Sequence, residues 1–193
     1  IRGKYGLTED EFEAHVAAQM AMGNRVRSMH EAATVAAARS MGAVLASHDD
    51  TTADHVTSSA AHGAALAEFP TTAEAAAACR DYGIAVMMGA PNLIRGGSHS
   101  GNVAARELAE AGLLDILSSD YVPASLLGGA LILADLWGDT ARGIATVTAA
   151  PAQAAGLTDR GTLTEGKRGD VIRVRRVGPR AALRGTWCAG RQV

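Results

Sequence analysis

Polar side chains that can bind metals or transfer protons follow four short apolar runs of the chain. They are His48, Asp49 and Asp50 after the first run, Glu68 after the second, Asn92, Arg95 and His99 after the third, and Asp120 after the fourth. Imidazole and carboxylate groups bind divalent cations, and a carboxylate can also take a proton from water. If the runs are neighbouring parallel strands, these groups lie at one edge of a sheet, where α/β proteins collect their ligands.

The residues after the first two runs allow more than one interpretation. His48 could bind a divalent cation from a rigid strand end, or it could belong to an ordinary loop that leads into the next helix. For Asp49 and Asp50 the sequence favours a role as helix caps. Glu68 could pair with Arg95, bind a metal or cap a helix, and we expect no catalytic role for it.

The loop after the third run, GAPNLIRGGSHSGN, has a composition suited to an anion. Backbone N–H groups, a helix N-terminus and a guanidinium fork together can hold a phosphate, although Gly-rich loops also occur simply to make turns. His99 could act as an acid for a leaving group, bind a metal or bond to backbone, and an active-site role is favoured. The predicted phosphate-binding residues are Asn92, Arg95, Gly96, Gly97, Ser98 and Ser100.

Helical segments alternate with the four apolar runs, which predicts an α/β fold with a parallel sheet and crossover helices. Before the first run, Thr8 and Glu11 form a capping box for an Ala-rich helical region. Gly23 and Asn24 are expected to divide this region into two helices. A second capping box is predicted at Thr71 and Glu74.

The chain changes character at about residue 160. The segment from there to the end is rich in Val, Gly and Arg and has turn signals at GKRGD and VGPR, which predicts short β-strands. The sequence therefore predicts an α/β part over 1–158 and part of a small β unit over 159–193.

The composition excludes several classes of protein. With 193 residues, 48% apolar residues and a formal net charge of −2, the chain suits a globular fold and lacks the charge pattern of a nucleic-acid or membrane-surface binder. Cys79 and Cys188 match no zinc or disulfide spacing, so a reducing, cytoplasmic location is expected. The start of the chain has neither an initiator methionine nor a signal-peptide pattern, so we expect it to be part of a longer protein.

Four segments together resemble the phosphonate-metabolism diphosphatases (PhnM) of the amidohydrolase superfamily. They are GAVLASHDDTTADHV, AEFPTTAEAA, the long stretch from GAPNLIRGG to SDYVPASLL, and the tail from GTLTEGKRGD to GTWCAGRQV. The resemblance implies the C-terminal half of a (β/α)8, TIM-like metallo-hydrolase barrel, with strands five to eight in 1–158 and part of a β-sandwich in 159–193. It also implies hydrolysis of α-D-ribose 1-methylphosphonate 5-triphosphate to the 5-phosphate and pyrophosphate.

The same resemblance implies a divalent metal site of zinc, manganese or iron. His48 matches the fifth-strand histidine ligand and Asp120 the eighth-strand aspartate, whereas Glu68 stands where the sixth-strand histidine is expected. The chain has no HxH motif, and a whole barrel needs about 250 residues. The expected partners are therefore a small phosphorylated substrate, the missing N-terminal half of the barrel and a second copy of the chain.

The predicted mechanism is metal-assisted hydrolysis of a phosphoanhydride. Asp120 would accept the proton of the attacking water, and Arg95, the loop backbone and His99 would neutralise the leaving group. Two alternatives remain open: an amide or cyclic-amide hydrolase of the same superfamily, and a non-catalytic scaffold that uses its Ala-rich helices as an interface.

Overall fold

The computed structural model describes residues 6–98, 101–178 and 180–193. They form two compact units that divide between Ala43 and Val44. The boundary predicted between the α/β part and the small β unit, at 158/159, stays a prediction. Within the described residues, no helix combines the length and hydropathy needed to cross a membrane.

In the described part of the first unit, residues 6–43, the chain forms the helix α1 (Glu9–Met41). The capping box predicted at its start is present: the Thr8 hydroxyl accepts from the Glu11 N–H, and the Glu11 carboxylate accepts from the Thr8 N–H. The predicted break at Gly23 and Asn24 is wrong, because the helix continues through both. A glycine inside a helix costs only about 1 kcal/mol, which the many alanines around it can tolerate.

The second unit begins with a four-stranded parallel sheet in the order β1-β2-β3-β4, which confirms the predicted parallel alternation. Its strands are β1 (Leu45–His48), β2 (Ala64–Glu68), β3 (Ala85–Gly89) and β4 (Ile116–Ser118). The helices between them are α2 (Ala53–His62), α3 (Ala73–Asp81), α4 (Ala90–Arg95) and α5 (Ala105–Glu110). Three helices follow β4: α6 (Ser125–Trp137), α7 (Thr140–Ala145) and α8 (Ala149–Ala154).

Threonines cap α2 and α3. The hydroxyls of Thr52 and Thr72 accept from the backbone N–H three residues on, and both threonines have extended backbone conformations. The capping role predicted for Asp49 and Asp50 is therefore wrong, as is the capping box at Thr71.

Asp50 has a different task. Its carboxylate is buried and accepts hydrogen bonds from the hydroxyls of Ser47, at 2.6 Å, and Ser59, at 3.3 Å. Its backbone carbonyl accepts from the Thr71 N–H at 2.8 Å. These bonds satisfy a buried charge and tie the loop after β1 to the loop after β2.

One face of the sheet packs against the helices and forms the core. Val56, Cys79, Val86 and Leu108 are fully buried there. The opposite face is less evenly covered. In the register of the sheet, His48 lies opposite Glu68, Glu68 opposite Met87, and Met87 opposite Ile116. The side chains of these four residues therefore share that face. On that face His48 is exposed, whereas Ile116 is buried.

A carboxylate attaches β4 to β3. Asp115 accepts from the Val86 N–H at 2.8 Å, and its other oxygen pairs with Arg80 at 2.9 Å. Arg80 also donates to the carbonyl of Gly112, at the turn before β4. The three-residue strand β4 is thus held at its start by side-chain hydrogen bonds in addition to the backbone hydrogen bonds of the sheet.

The tail of the chain forms a separate antiparallel sheet in the order β5-β6-β7, with β5 (Val171–Val177), β6 (Arg180–Cys188) and β7 (Arg191–Gln192). This confirms the predicted strands. Arg176 on β5 makes a bidentate ion pair with Asp135 on α6, at 2.8 and 2.5 Å. The hydrogen bonds from Arg176 lower the pKa of the Asp135 carboxyl.

The two cysteines should react very differently. Cys79 is fully buried, and burial raises the pKa of its thiol to about 11, whereas Cys188 is exposed. Because the thiolate is the reactive form, iodoacetamide at pH 7.5 should alkylate Cys188 alone in the native protein and both cysteines in urea. Mass spectrometry counts the adducts, and rapid double alkylation of the native protein would contradict this packing.

Among the glycines where α6 and α7 pack together, Gly143 should be the one whose substitution destabilises the protein most. A Cβ at this position would lie 2.6 Å from the Ala130 carbonyl oxygen and 2.6 Å from the Ala134 nitrogen, which are backbone atoms. Gly143→Ala should therefore lower the free energy of unfolding by about 1–3 kcal/mol or more in urea titrations. Gly128→Ala is the matched control: its Cβ meets only Ile94, at 3.8 Å, so no loss is expected.

Candidate functional site

A cavity of about 240 Å³ lies at the carboxyl ends of the four parallel strands. Four of the predicted site residues line it: Asn92, Arg95, Ser98 and Asp120. His48, Gly96 and Gly97 are not among its lining residues. His99 and Ser100 lie outside the described residues. The structure therefore brings part of the predicted site together.

Asp120 lies two residues beyond β4 and is exposed. Its backbone N–H donates to the Ser118 hydroxyl at 3.0 Å, and its backbone has a φ of 49°. A Cβ built on Gly89 would stand 3.3 Å from Asp120 Oδ2, so the missing side chain of Gly89 makes room for the carboxylate. The apolar run ends before Asp120, and its charge is not buried.

His48 is oriented by its neighbours. Its Nδ1 lies 3.1 Å from Asp49 Oδ2, and its ring meets the Phe69 ring edge-on at 5.4 Å between centroids. Asp49 and Phe69 both line the cavity. The Asp49 carboxylate lies on the Nδ1 side of the ring, so Nε2 is the imidazole atom that could bind a metal.

Four non-glycine residues that follow strands have left-handed backbones among the described residues. Ala189 follows β6, and the other three, Asp49, Phe69 and Asp120, follow strands of the parallel sheet, with φ values of 60°, 55° and 49°. Each costs of order 1–2 kcal/mol for a residue with a Cβ, and such residues cluster at functional sites. Asp49, Phe69 and Asp120 all line the cavity, so most of this strain lies where the sequence predicted the chemistry, and Ala189 is the exception.

Arg95 is the basic side chain among the described residues that line the cavity. It ends α4, and its Nη1 donates to the Tyr121 hydroxyl at 3.0 Å. Its Nη2 donates to the Gly97 carbonyl at 3.4 Å. Tyr121 also lines the cavity and is 63% exposed. The guanidinium is thus held between the loops that follow β3 and β4.

The backbone of the predicted phosphate loop is partly used within the loop itself. The N–H groups of Gly96 and Gly97 both donate to the Asn92 carbonyl at 3.0 Å, which closes α4. The Asn92 side-chain oxygen accepts from the N–H of Ala105, at the start of α5, at 3.0 Å. These groups therefore shape the loop. Asn92, Arg95 and Ser98 are the predicted phosphate ligands that line the cavity, and the Asn92 side-chain oxygen is already used by Ala105.

No cluster of three or more His, Cys, Asp or Glu side chains suited to a metal ion occurs within 6–98, 101–178 and 180–193. The donor types nevertheless fit a divalent cation, because His48 offers Nε2 and Asp120 offers a carboxylate that makes no hydrogen bond or ion pair with the described residues. Two donors are fewer than a tight site needs.

The sequence analysis missed Asp49, Asn102 and Tyr121 as cavity residues. Asp49 was assigned to helix capping because Asp is common at N-caps. Tyr121 directly follows Asp120, but its bond to Arg95 joins residues 26 positions apart and depends on the pairing of β3 with β4.

The sequence profile of the amidohydrolase family matches residues 6–193. The chain belongs to the amidohydrolase family. Over 195 aligned residues it is 46% identical to the α-D-ribose 1-methylphosphonate 5-triphosphate diphosphatase of Escherichia coli strain K12, which confirms the resemblance to that enzyme. The match covers 100% of this chain and 52% of the relative, so the chain spans about half the relative's length.

Solved structures share the fold of this amidohydrolase chain at low sequence identity. A prolidase in complex with N-methylphosphonate-L-proline matches with a TM-score of 0.62 and 16% identity, over 82% of this chain and 47% of the prolidase. Ochratoxinase from A. niger matches with a TM-score of 0.57 and 15% identity, over 82% and 43% of the two chains. At this identity the likeness establishes the fold alone.

Asn92 should contribute to stability through its side-chain oxygen. Asn92→Ala removes the acceptor for the first N–H of α5, and by analogy with helix caps should lower the free energy of unfolding by about 0.5–2 kcal/mol. Asn92→Asp keeps an oxygen at the same position and is the matched control. Equal losses in urea titrations of both variants would show that this bond is unimportant.

Proposed function

We propose that the chain is the C-terminal half of a metal-dependent hydrolase that cleaves α-D-ribose 1-methylphosphonate 5-triphosphate to the 5-phosphate and pyrophosphate. The observation that carries the proposal is the 46% identity to a diphosphatase of that name, which extends over the whole chain. The cavity supports it, since a carboxylate and a guanidinium stand together at the strand ends. Hydrolysis of a phosphoanhydride at a metal ion needs negative groups that hold the cation and positive groups that stabilise the phosphate oxygens.

The four parallel strands correspond, in this proposal, to strands five to eight of a (β/α)8 barrel. Their chain order β1-β2-β3-β4 is the order of consecutive barrel strands. The other half of the barrel would cover the face on which His48 is exposed and would supply further metal ligands. We also propose a cytoplasmic location and a homo-oligomer.

His48 Nε2 and Asp120 would hold the cation together with ligands from the other half. When bound, a divalent cation lowers the pKa of a coordinated water to near neutrality. Asp49 lies 3.1 Å from Nδ1, where its carboxylate would orient the imidazole with Nε2 towards the cation. Glu68 lies beside His48 in the sheet, where its carboxylate could take the place of the expected sixth-strand histidine.

Asp120 accepts the proton of the attacking water. Its carboxylate is exposed to the cavity and makes no hydrogen bond or ion pair with any described residue, so its oxygens remain available. Water adds to the first phosphorus of the triphosphate, the bond to the second phosphoryl group breaks, and pyrophosphate leaves. Arg95 and Ser98 lie where they can bind the phosphoryl oxygens, and His99 is proposed to protonate the leaving group.

Replacing Asp120 tests this assignment. In the natural protein at its full length, Asp120→Asn should lower the rate of pyrophosphate release by about 10²–10⁴-fold, because a general base is lost at nearly constant shape. The assay is release of pyrophosphate from the triphosphate substrate, with zinc, manganese or iron added. A wild-type rate in Asp120→Asn would refute the role.

Two controls make the assay specific. Asp81→Asn removes an exposed carboxylate at the end of α3 and should leave the rate unchanged. An N-acyl amide substrate tests the alternative amide hydrolase: if it is turned over faster than the triphosphate, the proposed substrate class is wrong.

A further inference from the structure

We propose that Tyr121 is a positioning residue that holds the Arg95 guanidinium for a condensed phosphate. The inference rests on the proposed function, because it assumes that the cavity binds the triphosphate part of a substrate. Tyr121 acts through Arg95, and its phenol is not assigned a role in bond breaking.

The contact joins two loops at the mouth of one cavity. Arg95 ends α4, which follows β3, and Tyr121 lies in the turn after β4. Their 3.0 Å hydrogen bond runs from Nη1 to the phenolic oxygen, so the guanidinium donates and the phenol accepts. Both side chains line the cavity.

Tyr121 has little packing reason to be aromatic. It is 63% exposed, and a tyrosine so exposed gains little from burial. What the side chain offers at this position is a rigid stem, with two rotatable bonds, that carries a hydroxyl to Arg95. An arginine side chain loses about 2 kcal/mol of rotamer entropy when it is fixed, so a neighbour that fixes it in advance strengthens anion binding.

The phenol suits this task because it is neutral. A carboxylate at the same place would orient the guanidinium but would also cancel the charge that attracts phosphate. Arg80 and Arg176, by comparison, are paired with Asp115 and Asp135, and both pairs join structural elements outside the cavity. The bond to Tyr121 thus orients Arg95 without adding a negative charge beside it.

The test measures binding of inorganic tripolyphosphate by isothermal titration calorimetry, with the natural protein at its full length. Tyr121→Phe keeps the ring and removes the hydroxyl, and should weaken binding about 10- to 150-fold, the range for losing a hydrogen bond to a charged group. Tyr82→Phe is the matched control: it removes another exposed phenol, bonded to Thr57, and should bind as wild type.

A double-mutant cycle separates positioning from a general structural effect. Because Tyr121 acts through Arg95, Tyr121→Phe should have no further effect on binding in the Arg95→Gln background. Equal weakening in both backgrounds would overturn the inference, as would wild-type binding by Tyr121→Phe or an absence of tripolyphosphate binding by the wild-type protein. Tyr121→Phe should also raise KM for the triphosphate substrate with little change in kcat.

The two proposals fail in different ways. If tripolyphosphate binding depends on Tyr121 and Arg95 but no triphosphate ester is hydrolysed, the positioning role stands and the proposed reaction is wrong. If the ester is hydrolysed and Tyr121→Phe matches wild type in both binding and KM, the reaction stands and the positioning role is wrong.

Discussion

The short parallel pairing of β3 with β4 is the constraint on which the cavity depends. It sets Gly89 opposite Ser118, which brings Asp120 against the space left by the glycine and Tyr121 within reach of Arg95. A ladder of three residues is weak by itself. The bonds of Asp115 to the Val86 N–H and to Arg80 extend it by side-chain contacts, so a residue outside the cavity fixes the register inside it.

The cavity wall carries acidic and basic side chains together. Asp49 lies beside His48, Arg95 donates to the neutral Tyr121 hydroxyl, and the Asp120 carboxylate makes no hydrogen bond or ion pair with a described residue. In the proposed reaction the cation and the polyphosphate each need a partner of the opposite sign. The ion pair of Arg176 with Asp135, in contrast, neutralises both groups and connects the antiparallel sheet to α6.

Local patterns in the sequence predicted the alternation of strands and helices, the Thr8 capping box and the late β-strands, because each depends on residues close in the chain. The sequence-based predictions failed where several neighbouring residues could fill the same structural role, such as a helix cap. Gly23 did not end α1, since a single glycine costs less than a helix break. Thr52 and Thr72 took the capping positions expected for other residues. The contact of Tyr121 with Arg95 could not be read from either loop, because it is created by strand pairing.

The residues with left-handed backbones after β1, β2 and β4 affect which substitutions a directed-evolution experiment would select in this protein. At Asp49, Phe69 and Asp120 a glycine would relieve backbone strain, but it would also raise the conformational entropy of the unfolded chain. Where the relief is larger than that cost, a selection for heat resistance alone would favour glycine, and glycine at all three positions would remove two carboxylates and an aromatic ring from the cavity wall. Thermal stability and the chemistry of the site therefore depend on the same three positions, and a substitution there that raises stability would remove a group that the site uses.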